Sequence, residues 1–274
     1  MKHKIRMIGL DLDGTLLTTQ KKITSYTKAV LEEALAKGIV VLVSTGRPIS
    51  AVPKEILEIP GMKYAVTANG ARVLDIETGE VIVENMLSLE TAGKVLRIFQ
   101  KYNTIHEIFI GSEGYTSKSV AHAYEYFKNP SMAEYFMNTR IPVDDVVAEM
   151  LKKGEPVDKV QGIFKNEDER KKAEKELEVI EGITVSNAIG NNLEANKEGV
   201  DKGMALVQLG KMLGIRREEI MACGDGMNDY EMLKTVGFAV AMENGEEELK
   251  VIADYITVSN DEDGVAKAIQ KFAL

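Results

Sequence analysis

The sequence predicts an α/β fold: a doubly wound, mostly parallel sheet with a second α/β domain inserted into it. Short apolar runs alternate with amphipathic stretches near both ends of the chain, which is typical of successive βαβ units. Residues 5–10, 39–43 and 64–67 have the composition of buried strands, and the same alternation returns from residue 201. The middle of the chain lacks the polar strand-end motifs of the flanks, which favours an insertion.

Local patterns set the individual elements. Thr24 or Ser25 can cap a helix that runs to about Gly38. Asn69-Gly70 is a turn signal, and a hairpin with arms near 72–75 and 80–83 follows it. The other predicted helices are 88–102, 167–180, 201–213, one that opens at 227, and 263–272. The other predicted strands are 105–110, 157–164, 183–187, 219–223, 237–241 and 254–256. We therefore expect a core of residues 1–84 and 191–274, and an inserted domain of residues 85–190.

Composition and charge restrict the classes of function. The 274 residues suffice for a full hydrophobic core and a second, smaller domain. The 43 acidic against 34 basic residues give a net charge of −9, which argues against a nucleic-acid partner. No apolar run approaches the roughly 20 residues that span a bilayer, so no membrane partner is expected. The single cysteine, Cys223, excludes an internal disulfide and fits a reducing cytoplasm.

The first chemical motif, Asp11-Leu12-Asp13-Gly14-Thr15, comes directly after a predicted buried strand. Carboxylates at the end of a buried strand are costly to desolvate, and a divalent cation commonly compensates for that cost. In an open parallel sheet, this end of the strands is also where ligands bind. The alternative is a capped turn in which both aspartates bond backbone amides, because Asp and Gly are common in turns.

The second motif is Gly224-Asp225-Gly226-Met227-Asn228-Asp229, after another predicted strand. Asp225 and Asp229 are four residues apart, so a loop and a first helical turn can direct both carboxylates to one point. Oxygen ligands of this kind suit Mg²⁺ rather than zinc. Helix capping by Asp225 or Asn228 is the alternative. Two acidic loops, each after its own strand, favour a metal site more strongly than either loop alone.

Two weaker signals accompany these motifs. Lys202 lies in Gly199-Val200-Asp201-Lys202-Gly203, and a lone lysine is usually solvated. Thr45 lies in Ser44-Thr45-Gly46-Arg47, where a hydroxyl and free amides at a strand end can hold a phosphate oxygen. The same tripeptide is also ordinary loop chemistry, so neither signal identifies a site by itself.

Taken in order, Asp11-x-Asp13, Thr45, Lys202 and Gly-Asp225-x-x-x-Asp229 resemble the four motifs of the haloacid dehalogenase (HAD) superfamily. The details resemble its Cof-type phosphatases, subfamily IIB, which are similar to sugar-phosphate phosphatases. Gly245 and Ala195-Asn196 depart from the usual pattern of this branch, away from the motifs. The resemblance covers both core segments and, more loosely, the middle, and it implies a Rossmann-like core with a C2-type α/β cap. The segments that carry it further are Ser-Thr-Gly-Arg-Pro at 44–48, Asn69-Gly70-Ala71, Gly-Val-Asp-Lys-Gly at 199–203, 240–244 and 262–266.

The resemblance also implies roles for individual residues. Asp11 is expected to attack phosphorus and form an aspartyl-phosphate, and Asp13 to act as general acid and then general base. Lys202 is the third expected catalytic residue. Mg²⁺ would be held by Asp11, the backbone carbonyl of Asp13 and Asp225, with support from Asp229. The residues expected to bind phosphate or substrate are Thr45, Gly46, Arg47, Asn69, Lys202 and Asn228.

The expected function is therefore Mg²⁺-dependent hydrolysis of a small phosphorylated metabolite, a sugar phosphate, in the cytoplasm. A phosphomutase or phosphotransferase similar to phosphomannomutases is one alternative; prompt phosphate release without an activating bisphosphate would separate the two. A phosphatase for nucleotide, flavin or vitamin phosphates is the nearer alternative, and a substrate panel distinguishes it. A phosphosugar-binding protein without catalytic activity is the alternative from another class, and it would bind without turnover.

Overall fold

A computed structural model describes residues 4–117, 123–127 and 130–274, and these residues form two compact units. The second unit is inserted into the first at two points of the chain. The first unit comprises Met1–Gly46, Val52–Glu84 and Asp201–Leu274, and the second comprises Arg47–Ala51 and Asn85–Val200.

The first unit is built on an eight-stranded sheet. Its strands are β1 Met7–Leu10, β2 Val40–Ser44, β3 Tyr64–Thr67, β4 Arg72–Asp75, β5 Val81–Glu84, β12 Ile220–Gly224, β13 Phe238–Ala241 and β14 Tyr255–Ile256. They lie in the order β14-β13-β12-β1-β2-β3-β4-β5, and pairing is parallel from β14 to β3 and antiparallel beyond it. The direction of winding reverses at β1, which is the switch point where open α/β sheets bind ligands.

Helices cover this sheet and bury its apolar side chains. Numbered along the whole chain, they are α1 Ser25–Ala36, α2 Lys54–Leu57, α7 Lys202–Met212, α8 Tyr230–Thr235, α9 Glu247–Ile252 and α10 Gly264–Phe272. Thr24 caps α1 by accepting a hydrogen bond from the Thr27 amide at 3.0 Å, as the sequence predicts. Asp201 caps α7 in the same way through the Met204 amide at 2.8 Å.

Close contact between α7 and α8 depends on Gly203. A Cβ atom at this position would lie 2.8 Å from Cα of Met232 and 2.9 Å from the carbonyl oxygen of Glu231. Only glycine lets the two backbones approach this closely. The contact brings the first turn of α7, and with it Lys202, beside the loop that precedes α8.

The second unit contains a six-stranded sheet. Its strands are β6 Thr104–Ile110, β7 Glu113–Ser117, β8 Ile141–Val143, β9 Lys159–Phe164, β10 Ile183–Ser186 and β11 Asn192–Lys197. Their order is β10-β11-β9-β6-β7-β8, and every pair is antiparallel except β7 with β8. Its helices are α3 Leu89–Phe99, α4 Pro130–Thr139, α5 Val146–Lys153 and α6 Glu167–Leu177. A buried apolar cluster joins α3, α5 and α6 to the sheet, while α4 packs with Ile105 and Ile163.

A row of polar residues crosses one face of this second sheet. Thr116 pairs with Glu107, Glu107 with Gln161, and Gln161 with Glu194, so the four residues lie in register across four strands. All four are buried. Buried polar groups require hydrogen-bonding or ionic partners, so this face differs chemically from an ordinary apolar core.

Two buried ion pairs satisfy the charges of this face. Nζ of Lys159 lies 2.6 Å from Oε1 of Glu194, and Nε of Arg140 lies 3.0 Å from Oε1 of Glu107. The guanidinium of Arg140 also lies 5.0 Å from the ring centre of Phe109. The charged residues of the face are thus paired within the second unit.

The structure confirms the α/β class with an inserted α/β domain and places β3 and β4 at the predicted residues. The second unit extends to Val200, ten residues beyond the expected boundary at residue 190. The reason is β11, which pairs with β9 and β10. Its buried positions include Glu194 and Asn196, so the strand lacks the apolar alternation that the sequence analysis sought.

The expected core range 1–84 also contains residues 47–51, which the structure groups with the second unit. The elements that the sequence patterns did not predict are β7, β8 and β11 and the helices α2, α4, α5 and α9. Within the described residues, no helix combines the length and the apolar character that a bilayer crossing requires.

Replacing Lys159 by methionine removes its charge and leaves Glu194 buried without this partner. We expect the free energy of unfolding to fall by about 3–5 kcal/mol, because a buried charge that loses its partner still carries its desolvation penalty. Urea unfolding followed by circular dichroism measures the change.

The control is Lys94→Met, which breaks an exposed pair with Glu90 in the same unit, the side chains being 49% and 77% exposed. That substitution should change the free energy of unfolding by less than about 1 kcal/mol. The double variant Lys159→Met/Glu194→Gln removes both buried charges and should recover much of the loss. A double variant no more stable than Lys159→Met would contradict the role given to this pair.

Candidate active site

The site lies at the carboxyl end of β1, where the sheet changes its winding direction. β1 and β12 are parallel neighbours, and Leu10 pairs with Cys223. Asp11 continues from β1, and its amide donates a hydrogen bond to the carbonyl oxygen of Cys223 at 3.1 Å. The chain after β12 enters the loop of Asp225. The two acidic motifs found in the sequence therefore leave the sheet side by side.

Lys202 joins the first motif to the second. It is the first residue of α7 and is fully buried. Its ammonium donates to Oδ1 of Asp11 at 2.6 Å and to Oδ1 of Asp229 at 2.7 Å. Burial opposes the charged form, but the two carboxylates outweigh it and raise the pKa of Lys202 above its ordinary value. The ammonium is therefore a permanent positive charge in this site.

Asp229 holds the second acidic loop in shape. It ends the short 3-10 helix Met227–Asp229 and is fully buried. Its Oδ2 accepts hydrogen bonds from the amides of Asp225 at 3.0 Å and Gly226 at 3.1 Å, while Oδ1 accepts from Lys202. Both oxygens thus have partners from the chain, and the carboxylate fixes the loop that carries Asp225.

Three carboxylates of the site could hold a metal ion. Asp11, Asp225 and Asp229 each offer an oxygen, and these oxygens lie within 4.8 Å of one another. With Lys202 as the neighbouring cation, the group carries an excess of two negative charges when ionised. Burial raises the pKa of Asp11 to about 7, although Lys202 opposes the shift. Burial and the nearby Asp11 raise the pKa of Asp225 well above its ordinary value. The oxygen donors and the excess charge both fit Mg²⁺.

Two residues of the first motif contact Asp225 directly. Gly14 has a φ of +83°, and a Cβ atom there would collide with Oδ2 of Asp225. The hydroxyl of Thr15 donates to Oδ1 of Asp225 at 2.6 Å. Asn244 holds the same turn from the other side, by donating to the carbonyl oxygen of Gly14 at 2.8 Å. These contacts fix the carboxylate of Asp225 next to the turn after Asp11.

The side chain of Asp13 is separate from the group of three carboxylates. Its Oδ1 lies 2.5 Å from Nζ of Lys21, and the two side chains are 28% and 22% exposed. The Asp13 side chain is therefore not one of the three whose oxygens lie together. The side chain remains accessible for proton transfer.

The residues expected to bind phosphate lie at the ends of β2 and β3 and beside the second acidic loop. The Thr45 amide donates to the carbonyl oxygen of Val66 at 2.9 Å, and the Asn69 amide donates to the Thr45 carbonyl at 3.0 Å. Nδ2 of Asn228 lies 3.4 Å from Oδ1 of Asn69. A Cβ atom on Gly46 would lie 2.8 Å from that same oxygen. The structure thus brings these four residues together.

Arg47, also expected at the substrate, belongs to the second unit by its contacts. Its Nη1 donates to the Ala51 carbonyl at 2.8 Å, and its guanidinium lies 4.1 Å from the ring centre of Tyr135. The side chain is buried by this stacking. Arg47 therefore groups with the second unit and not with the expected core range, because its partner Tyr135 lies 88 positions further along the chain.

Three residues of the site, Thr15, Lys21 and Asn244, were not among the expected site residues. Thr15 lies inside the first motif and Asn244 in a segment that carries the family resemblance, so the sequence holds a signal for both. Lys21 has no such signal. Its contact with Asp13 arises from the path of the turn after β1.

Comparisons with known proteins show the family of the chain. A family model of haloacid dehalogenase-like hydrolases matches residues 8–269. Phosphatase YwpJ of Bacillus subtilis is 31% identical, over 96% of this chain and 98% of that protein. The 5-amino-6-(5-phospho-D-ribitylamino)uracil phosphatase YcsE of the same organism is 29% identical, over 98% of this chain and 96% of that protein.

A solved structure has the same fold as this chain. The structure of a haloacid dehalogenase-like hydrolase from B. subtilis superposes with a TM-score of 0.87 at 31% identity, and the match covers 98% of this chain and 100% of that chain. The family match spans nearly the whole chain, including the inserted unit, which corresponds to the cap domain of this fold. The chain therefore belongs to the haloacid dehalogenase-like hydrolases and is a phosphatase of that family.

Proposed function

We propose that this phosphatase hydrolyses a sugar phosphate with the help of Mg²⁺, through transfer of the phosphoryl group to Asp11. The observation that carries the proposal is the buried carboxylate of Asp11 at the switch point, held by Lys202 and close to two further carboxylates. Phosphoryl transfer is catalysed mainly by positioning and charge neutralisation, and this group offers both.

In the first step, an oxygen of Asp11 forms a bond to phosphorus while the bond to the sugar oxygen breaks. Lys202 donates to Oδ1 of Asp11, so the carboxylate is held in one orientation before substrate arrives. Asp13 gives its proton to the departing sugar oxygen, which leaves as an alcohol. The product on the protein is an aspartyl-phosphate.

In the second step, water attacks the phosphorus of the aspartyl-phosphate and releases inorganic phosphate. Asp13, now a carboxylate, takes a proton from that water, and the bond between phosphorus and Asp11 breaks. Both residues return to their starting protonation states. The same carboxyl group thus acts as acid and then as base, and its partly exposed position lets water reach it.

The metal would be held by Asp11, the backbone carbonyl of Asp13 and Asp225. When bound, Mg²⁺ supplies positive charge that offsets the charge of the phosphoryl oxygens. Asp229 keeps the loop of Asp225 in place through two amide hydrogen bonds. Lys202 adds a second positive charge on the side of Asp11.

Thr45 and Asn228 are proposed to orient the phosphoryl group, together with Gly46 and Asn69. The proposal is supported by the closeness of the four residues, since Asn69 lies next to each of the other three. Amide and hydroxyl donors at strand ends are common ligands of phosphate oxygens. Arg47, also expected at the substrate, is held by Tyr135 within the second unit.

A second candidate substrate is the phosphate ester of a ribityl chain. It is favoured by the relative that is 29% identical and named as a (5-phospho-D-ribitylamino)uracil phosphatase. Sugar phosphates and ribityl phosphates are both monoesters of polyhydroxylated carbon chains. The same two steps therefore apply to either substrate.

Phosphate release from a panel of compounds tests the proposed substrate class. The panel contains hexose phosphates, 5-amino-6-(5-phospho-D-ribitylamino)uracil, nucleotides and flavin mononucleotide, each assayed with Mg²⁺ and with EDTA. We expect release that requires Mg²⁺ and is fastest with a hexose phosphate. Preference for the ribityl compound supports the second candidate, and equal release with EDTA contradicts the proposed metal.

Replacing Asp11 by asparagine removes the attacking carboxylate but keeps the shape of the side chain. Turnover should fall by about 10³-fold or more, because no aspartyl-phosphate can form. The matched control, Asp168→Asn, makes the same chemical change at an exposed position of α6 and should keep wild-type activity. Near-wild-type turnover by Asp11→Asn would remove Asp11 from its proposed role.

Replacing Asp13 by asparagine removes the proton donor. We expect kcat/KM to fall by about 10²–10⁴-fold with an alkyl phosphate, whose leaving oxygen must be protonated. The fall should be smaller with p-nitrophenyl phosphate, since its leaving group departs as a stable anion. Equal losses with the two substrates would argue against Asp13 as the general acid.

Binding of Mg²⁺ should depend on pH, since protons compete for the same carboxylates. Asp11, with a pKa of about 7 in the metal-free protein, is protonated at lower pH and ionised at higher pH. Affinity should therefore rise by about tenfold between about pH 6 and about pH 8, with release of protons. Calorimetry in two buffers of different ionisation enthalpy measures both quantities. Asp225→Asn should weaken binding strongly, whereas affinity that is constant with pH would contradict the assigned ligands.

A further inference from the structure

Lys21 is the partner of Asp13, and neither the family motifs nor the proposed mechanism uses it. Its Nζ lies 2.5 Å from Oδ1 of Asp13. We propose that Lys21 is a positioning residue of the phosphatase reaction, which holds the carboxyl group of Asp13 in the orientation for proton transfer. This inference rests on the proposed role of Asp13 as general acid and base.

The backbone of Lys21 has a conformation that side-chain-bearing residues seldom adopt. Its φ is +61°, in the left-handed region where glycine and asparagine are the usual residues. An unfavourable backbone conformation at a lysine persists only when the surrounding structure imposes it, and such residues concentrate at functional sites. The conformation matters here because it determines where the side chain leaves the turn.

The turn that contains Lys21 is fixed to the first unit by several hydrogen bonds. The Lys21 amide donates to the Thr18 carbonyl at 2.8 Å, and the Thr18 amide donates to the Lys22 carbonyl at 2.9 Å. Thr19 donates to the carboxylate of Asp261 twice, from its amide at 2.8 Å and from its hydroxyl at 2.7 Å. The starting point of the Lys21 side chain is therefore held rigidly.

The ion pair differs from ordinary surface pairs in its burial. The side chains of Lys21 and Asp13 are 22% and 28% exposed. In contrast, the side chains of Lys94 and Glu90 are 49% and 77% exposed. A fixed turn and partial burial together lower the entropy that the side chains lose when they pair, so the contact can restrain a carboxyl group.

Orientation of Asp13 affects proton transfer because donor and acceptor must lie within hydrogen-bond reach. A carboxyl group that rotates freely would be in the productive orientation for only part of the time. The ammonium of Lys21 holds Oδ1 of Asp13 and so limits the rotation of the carboxyl group. Lys21 forms and breaks no covalent bond in the two steps proposed above.

The test compares Lys21→Met, Lys21→Arg and Lys22→Met. Lys22 lies in the same turn and has an exposed side chain, so Lys22→Met makes the same change of charge without touching Asp13. Each variant is assayed with glucose 6-phosphate as an alkyl ester and with p-nitrophenyl phosphate as an aryl ester. The value of kcat/KM reports the step in which the leaving group departs.

We expect Lys21→Met to lower kcat/KM by about tenfold or more with glucose 6-phosphate and by less than about threefold with p-nitrophenyl phosphate. Lys21→Arg should restore most of the activity with the alkyl ester, and Lys22→Met should equal the wild type with both. Equal losses with the two esters would indicate a damaged turn and overturn the proposal, as would an unchanged rate for Lys21→Met.

A fourth variant, Lys21→Gly, separates positioning from folding. Glycine adopts a positive φ without strain, so its thermal midpoint should equal or exceed that of Lys21→Met. Its kcat/KM with the alkyl ester should nevertheless fall as in Lys21→Met, and wild-type activity of Lys21→Gly would overturn the proposal. If the wild-type chain releases phosphate from neither ester, the proposed hydrolysis of sugar phosphates fails; if only the role of Lys21 is wrong, the wild type is active and Lys21→Met equals it.

Discussion

The site depends on one buried interaction, the pair of hydrogen bonds from Lys202 to Asp11 and Asp229. Buried charges are tolerated only when they are paired, so this ammonium must lie between the two carboxylates. The rest of the first unit makes that possible. Parallel pairing of β1 with β12 places the two acidic loops together, and Gly203 lets α7 approach α8 closely enough to bring Lys202 between them.

The charges of this group, the three carboxylates and Lys202, do not balance. One ammonium faces three carboxylates, and burial raises the pKa of Asp11 and of Asp225. A site built only for stability would balance its buried charges, and this one does not. The proposed mechanism uses this imbalance, because it assigns a divalent cation to the carboxylates and the role of nucleophile to Asp11. Under that proposal, metal binding and catalysis account for an arrangement that folding alone would disfavour.

The second unit handles buried charge differently. Its polar sheet face carries Lys159 with Glu194 and Arg140 with Glu107 as two pairs inside the same unit. Each of these two positive charges has a carboxylate of its own. The same polar residues interrupt the apolar alternation of β11, and for this reason the second unit extends ten residues beyond the expected boundary.

The α/β class, the insertion and the ordered acidic motifs were predictable from the sequence, because short apolar runs and strand-end residues are local patterns. It could not determine which distant side chains meet. Lys202 and Asp11 are 191 positions apart, Thr15 and Asp225 are 210 apart, and only the packed sheet brings each pair together. The contact of Lys21 with Asp13 is close in sequence, yet it depends on a backbone conformation that only the anchored turn imposes on a lysine. Local patterns therefore predict the elements around the acidic motifs, and tertiary packing decides which side chains and charges meet to form the site.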